Sequence, residues 1–146
     1  MGGPITGVQY RGVALHEAER TICFTLRGHV TKAEVTRLLR TGHDLIVEAP
    51  HAVTGILWDA TEHESHDPAV VSMGIRWAIE HRTWFRRSAL VTRSSRLATL
   101  VHIGTVMCPW MESAVFPTKE EALVWLSRAM PAPAPASRRG GRRRVA

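Results

Sequence analysis

Five short apolar segments, which alternate with helix-like segments after the first two, constrain the fold of this 146-residue chain most strongly. They cover residues 8–16, 21–27, 53–59, 88–92 and 113–116, and they are rich in β-branched and aromatic side chains. The resulting order is β-β-α-β-α-β-α-β-α. Because strands separated by helices form crossovers and the first pair forms a hairpin, we predict an α/β domain. Its sheet is expected to be mixed, with about five strands and about four helices packed against it.

The first and last helices are marked by capping boxes, in which a hydroxyl and a carboxylate lie three residues apart. Thr31 pairs with Glu34 in one, and Thr118 pairs with Glu121 in the other. Behind the first box, apolar residues at 35, 38, 39, 45 and 46 fall on one helical face, which predicts a buried stripe. Gly42 interrupts this helix and is expected to kink it.

The second and third helices are predicted from their starts. Asp67 followed by Pro68 is typical of an N-cap and first helical residue, and we expect this helix to run to about residue 84. The polar residues 61–66 before it are predicted to form a loop. Ser94 or Ser95 caps the third helix. The stripes predicted to be buried on these two helices comprise Val71, Ile75, Ala78 and Ile79, and Leu97, Leu100, Val101 and Met107.

The net charge of +6 is concentrated at the C-terminal end. Residues 131–146 alternate proline and alanine, continue with glycine and arginine, and contain no acidic residue. We expect residues 1–130 to form the domain and residues 131–146 to form a Pro/Ala linker and a disordered Arg-rich tail. The tail is predicted to make a weak, nonspecific contact with a polyanion, a merely solvated terminus being the alternative. The predicted polyanion-binding residues are Arg138, Arg139, Arg142, Arg143 and Arg144.

Cysteine usage and hydropathy indicate a cytoplasmic protein. Cys23 and Cys108 lie in apolar stretches without a C-x-x-C spacing, so both are predicted to be buried free thiols. The N-terminal residues lack the charged and apolar regions of a signal peptide, and no run reaches the roughly 18 apolar residues of a membrane span.

Three stretches carry a resemblance to a known family: residues 26–31 before the first helix, residues 55–59 in the central strand, and residues 114–116 followed by 120–126 near the end. Together they resemble the STAS domain, most closely its SpoIIAA-like, or STAS/SEC14-type, branch, over roughly residues 5–128. The resemblance implies a non-enzymatic regulatory module that binds a protein partner. Regulatory members carry a phosphorylatable serine in a D-S-S-type turn that opens the second helix. Here the turn reads Asp67-Pro68-Ala69, so we predict that this phosphoswitch is absent.

The polar segment between the central strand and the second helix is the predicted docking surface for that partner. It follows the carboxyl end of a central strand, where α/β folds place their ligands. The predicted partner-binding residues are Asp59, Thr61, Ser65, His66 and Asp67. The same stretch offers carboxylates and imidazoles, but it lacks the spacing of a metal site such as H-E-x-x-H. No nucleophile elbow or phosphate-binding loop occurs either, so we predict no metal, cofactor or catalytic residue.

The alternative function is that of a carrier or sensor of a hydrophobic, lipid-like ligand, which the resemblance also implies. Aromatic and aliphatic side chains could line a pocket between the helices and the sheet, although such a stripe is also typical of a core or of a partner surface. The predicted ligand-binding residues are Trp58, Met73, Trp77, Trp84 and Leu100.

Two further contacts are left open by the sequence. Arg82, Arg86 and Arg87 flank Trp84 and Phe85, where they either offset the helix dipole or form a basic, aromatic surface for a membrane or nucleic acid. The edge strand of the N-terminal hairpin makes a homodimer a further alternative.

Overall fold

A computed structural model describes residues 9–128 of the chain. Within these residues the strands are β1 (Gln9–Tyr10), β2 (Val13–His16), β3 (Thr21–Val30), β4 (Gly55–His66), β5 (Arg87–Val91) and β6 (Glu112–Phe116). The helices are α1 (Lys32–Glu48), α2 (Val70–Glu80), α3 (Ser95–Met107) and α4 (Lys119–Ser127). The predicted α/β fold with a mixed sheet and four helices is confirmed. The first predicted strand is divided into β1 and β2 by a turn at Gly12, whose φ of +79° suits glycine.

The strands lie in the sheet in the same order as in the sequence, from β1 to β6. β1, β2 and β3 are antiparallel, whereas β3, β4, β5 and β6 are parallel. Right-handed crossovers between strands in sequential order all return on the same side of the sheet. The helices α1, α2 and α3 therefore cover one face, and α4 packs on the other.

The main core lies between the sheet and the helices α1 and α2, and Phe24 is one of its fully buried residues. Its ring is fully buried, stacks on Trp58 at a centroid distance of 4.8 Å and meets the edge of Trp77 at 5.7 Å. The opposite face is built from smaller side chains. These comprise Ala14, Cys23, Leu57, Ala89 and Val91 of the sheet against Ala122 and Leu126 of α4.

Helix α1 is held against the sheet as the sequence predicts, with one difference at Gly42. The hydroxyl of Thr31 accepts a hydrogen bond from the backbone N–H of Glu34, and the whole predicted stripe is buried. A Cβ at Gly42 would lie 2.5 Å from Cζ of Phe24. The glycine therefore lets α1 approach the aromatic core closely, and the helix continues through this position without interruption.

The predicted loop at residues 61–66 is wrong, because these residues form the second half of β4. They pair with an extension of β3, ending at Val30 opposite His66. Gly28 does not end β3; its φ of +58° accompanies a register shift that lets the strand continue. Strand β5 pairs only with residues 55–59 of β4, so the two extensions project beyond the rest of the sheet.

The start of α2 also differs from the prediction. Ala69 occupies its N-cap position and contributes no side-chain hydrogen bond, while α2 begins at Val70. The Asp67 carboxylate instead accepts a hydrogen bond of 2.9 Å from the backbone N–H of Lys32, the first residue of α1. Asp67 thus stabilises the N-terminus of a helix 35 residues earlier in the chain. Helix α2 ends at Glu80 rather than near residue 84.

The predicted burial of the α2 and α3 stripes is largely wrong. In α2 only Trp77 and Ala78 are buried, and in α3 no residue is. Met107 is 49% exposed. The remaining apolar residues of both stripes are half-buried. Most of them face a space between these helices and the sheet rather than close-packed side chains.

Candidate functional site: an apolar cavity beside a polar groove

An apolar cavity of about 170 Å³ lies between the sheet and the helices α1, α2 and α3, which cover one of its faces. Its walls include Trp58 and Leu90 of the sheet, Ile75 of α2, and Leu100 and Val101 of α3. The cavity is partly open to solvent, which gives a small molecule access to its apolar walls. An engineered cavity of about 150 Å³ in another protein binds benzene, which sets the scale of the ligand that fits here.

Two of the five residues predicted to bind a hydrophobic ligand line this cavity. They are Trp58 and Leu100. Trp77 is buried instead among other aromatic rings, 5.5 Å from the ring of Phe85. Met73 packs against the main core, and Trp84 lies beyond the end of α2, with its ring 4.4 Å from that of His81.

A polar groove of about 610 Å³ adjoins the cavity at the carboxyl ends of β4 and β5. One wall is the extension of β4, and the other is the segment 92–97 that leads into α3. Hydroxyl, imidazole and guanidinium groups predominate among its polar groups. They belong to Thr61, His63, Ser65, His66, Thr92, Arg93, Ser94 and Arg96, with Glu64 as the acidic member of the described lining.

A pair of histidines stands at the boundary between the cavity and the groove. Nε2 of His63 lies 2.9 Å from Nδ1 of His66, and both side chains line both spaces. Partial burial lowers the pKa of His63, and the neighbouring imidazoles of His66 and His29 lower it further. A hydrogen bond between the two rings uses one nitrogen of each, because one ring donates an N–H and the other accepts it.

Ser65 and Asp67, two of the predicted partner-binding residues, meet at the ring of His29. Nε2 of His29 lies 3.0 Å from Oδ1 of Asp67, and Nδ1 lies 2.6 Å from the hydroxyl of Ser65. The N–H of Lys32 and the His29 ring together lower the pKa of the Asp67 carboxyl. This contact joins β3, β4 and α1, so it has a clear structural role.

The other three predicted partner-binding residues are not brought together with that contact. Asp59 accepts hydrogen bonds from the backbone and the hydroxyl of Thr61. It follows Trp58, which faces the cavity, so strand alternation directs Asp59 to the α4 side. His66 faces the cavity and the groove. The predicted docking surface is therefore divided between the two faces and the tip of the extended strands.

One of the three arginines expected near Trp84 is not part of a basic and aromatic surface. Arg87 is buried in β5, where Nε donates to the Glu112 carboxylate over 3.0 Å and Nη1 donates to the carbonyl of Trp125 over 2.7 Å. Its guanidinium also lies 5.1 Å from the centre of the Trp125 ring. Arg82 and Arg86 are exposed.

Several other predicted features can be located within residues 9–128. Cys23 and Cys108 are both free and buried, as predicted, and burial raises the pKa of Cys23 to about 11. No group of three histidine, cysteine or acidic side chains in this range is arranged to hold a metal ion. No helix in the same range is both long and apolar enough to pass through a membrane. The tail arginines at 138–144 lie outside the described residues.

Sequence reasoning missed Arg93 and Arg96, which flank the groove. The signal that points to them is a run of 31 residues between Glu80 and Glu112 that contains five arginines and no acidic residue. His29 was missed as well. Its role depends on contacts with residues 36 and 38 positions later, which no local pattern reveals.

The sequence matches the SpoIIAA-like family over residues 21–127. This match covers more than half of the chain, so the protein belongs to the SpoIIAA-like family, and the predicted resemblance is confirmed. A comparison with curated protein sequences gives no match.

Solved structures agree with this assignment at the level of the fold. A protein of Shewanella loihica PV-4, described as an uncharacterized DUF3478-family member with a SpoIIAA-like fold, has a TM-score of 0.60 and 18% identity, covering 73% of this chain and 83% of its own. The anti-sigma factor antagonist SpoIIAA in its unphosphorylated form has a TM-score of 0.56 and 19% identity, covering 76% of this chain and 93% of its own. The phosphorylated Bacillus cell fate determinant SpoIIAA has a TM-score of 0.52 and 21% identity, covering 74% and 92%.

Proposed function

We propose that this protein is a non-enzymatic regulatory module of the SpoIIAA-like type that carries or senses a small apolar ligand. The observation that carries the proposal is the cavity of about 170 Å³ between the sheet and the helices α2 and α3. Binding sites for small molecules are typically concave and apolar, with a few polar groups that fix orientation. Here the polar groups are those of the adjoining groove.

The packing of α3 supports this proposal. Leu97, Leu100, Val101 and Gly104 face the cavity, but no side chain of α3 is fully buried. An apolar ligand in the cavity would remove further surface of these residues from water, and each 100 Å² contributes about 2.5 kcal/mol. The ligand would thereby complete the packing of α3 against the sheet.

Binding can be measured by calorimetric titration with benzene, an uncharged apolar probe of the size that the cavity admits. The wild-type protein should bind it saturably, and Leu100→Trp, which fills the cavity, should weaken binding at least tenfold. Ile103→Trp is the matched control, because this residue lies on the same helix outside the cavity lining and is 46% exposed. Absence of saturable binding to the folded wild-type protein would contradict the proposal.

A second variant that fills the cavity provides the same test if Leu100→Trp does not fold. Gly104 also lines the cavity, and a Cβ placed there meets no atom within 4 Å. Gly104→Leu should therefore fold well and also weaken probe binding. Equal probe affinity in wild type and in both folded variants would show that the probe binds elsewhere.

We propose protein docking at the extended strands as a second function. Two neighbours of similar fold are forms of SpoIIAA, one described as an anti-sigma factor antagonist and the other as phosphorylated. Thr61, Glu62 and Glu64 are exposed along the projecting part of β4, which leaves a polar surface that the domain does not cover itself. The absence of the phosphoswitch remains a prediction, with Pro68 and Ala69 at the hydroxyl positions.

Docking is tested with Thr61→Arg, because Thr61 is exposed and its replacement leaves the Asp67 contact intact. The wild-type protein should capture an anti-sigma-type protein from its native cell, identified by mass spectrometry, and the variant should lose it. Thr99→Arg on α3 is a control of equal charge at an exposed site. Equal capture by all three proteins would place the contact elsewhere.

A further inference from the structure

The apolar cavity and the polar groove share part of their walls. Five side chains line both spaces: Ala60, His63, His66, Leu97 and Leu100. The cavity is built from aliphatic and aromatic groups, whereas the groove presents hydroxyl, imidazole and guanidinium groups. A ligand whose apolar part occupies the cavity thus finds polar groups directly beside it.

The charges of the groove favour an anion. Arg93 and Arg96 are exposed, and neither takes part in an ion pair with another residue of the described range. Glu64 opposes them as the acidic side chain of the described lining, and the hydrogen-bonded rings of His63 and His66 line the groove beside them. Guanidinium groups bind carboxylate and phosphate oxygens in a planar, two-point geometry.

We propose that the ligand is a single-chain amphiphile with an anionic head. Its chain lies in the cavity, and its carboxylate or phosphate oxygens lie in the groove against Arg93 and Arg96. This inference rests on the proposed function of the cavity as a ligand site, and it adds the polarity and the charge of the ligand. The volume of about 170 Å³ admits a chain of about six carbon atoms, so an eight-carbon amphiphile fits with its head in the groove.

Calorimetric titration of the full chain with four eight-carbon compounds tests the assignment. Octanoate and octyl phosphate carry anionic heads, 1-octanol is uncharged, and octylamine is cationic. We expect the better anion to bind about tenfold more tightly than 1-octanol, since hydrogen bonds to charged groups are stronger than neutral ones. Octylamine should bind more weakly than 1-octanol. Comparison of octanoate with octyl phosphate identifies the preferred head.

The double variant Arg93→Gln/Arg96→Gln should reduce the affinity for the preferred anion about tenfold and leave that for 1-octanol unchanged. Arg82→Gln/Arg86→Gln is the matched control, because it removes the same charge from exposed positions of the same acid-free run, outside the groove lining. All four side chains are exposed, so both double variants should fold. Circular dichroism checks this.

The outcomes separate this inference from the proposed function. If 1-octanol binds as tightly as both anions, or if the groove variant binds the anion as well as the control does, the anionic head is refuted while the cavity remains a ligand site. If none of the four compounds binds but benzene does, the anionic amphiphile is refuted and the cavity remains a ligand site. If benzene does not bind either, the proposed function itself fails.

Discussion

Replacement of Gly42 by alanine tests the packing of the main core with a single methyl group. The new Cβ would lie 2.5 Å from Cζ and 2.7 Å from Cε1 of Phe24, well inside contact distance. The ring cannot easily retreat, because it is fully buried and stacked on Trp58. Overpacking of this kind costs about 2–3 kcal/mol, whereas alanine gains about 1 kcal/mol over glycine inside a helix. We therefore expect Gly42→Ala to lower the free energy of unfolding by about 1–2 kcal/mol.

Gly104→Ala is the matched control, since it is also inside a helix but its Cβ meets no atom within 4 Å. It should raise the free energy of unfolding by about 1 kcal/mol. Urea denaturation followed by circular dichroism measures both, and a difference of about 2–3 kcal/mol separates the two midpoints by about 1–2 M if the slope is unchanged. Equal stabilisation by both substitutions would refute the close contact between α1 and Phe24.

Three further predictions concern buried or bonded groups. Cys23 and Cys108 should react with a thiol reagent at pH 8 only after denaturation, because burial removes access and raises the pKa of each thiol. Burial lowers the pKa of His16 below 6.5, so the contribution of this group to the unfolding free energy is fully present above pH 6.5 and is lost as the pH falls through the folded pKa. His16→Leu should reduce the loss measured by urea denaturation between pH 7 and 5, and an unchanged loss would assign it to other groups. Asp67→Ala should destabilise the protein and accelerate amide exchange at Lys32, and unchanged exchange would contradict the cap.

Local patterns in the sequence were reliable where the structure depends on near neighbours. The caps at Thr31, Ser94 and Thr118 each join a side chain to a backbone N–H three residues later, and all three form as predicted. The stripe of α1 is buried because its 3.6-residue period alone determines which side chains face the sheet.

The errors arose where distant contacts decide the structure. Residues 61–66 are polar enough for a loop, yet they form a strand because β3 extends beside them. Asp67 has the residue type of an N-cap for α2, but its carboxylate forms hydrogen bonds with the N–H of Lys32 and the ring of His29 instead. Apolar periodicity could not distinguish side chains that touch one another from side chains around a cavity, so three of the five predicted ligand residues fell outside it.

The sequential order of the strands has a consequence for how the chain acquires its structure during synthesis. Each strand pairs only with the strands directly before and after it, so every βα unit finds its partner among residues already made. Folding can therefore advance from the N-terminus as the ribosome extends the chain, at roughly 5–20 residues per second. Helix α4, the last element within residues 9–128, then closes the second face by packing against β4, β5 and β6. A released fragment that ends after β5 should already protect the amides of β3 and β4 from exchange.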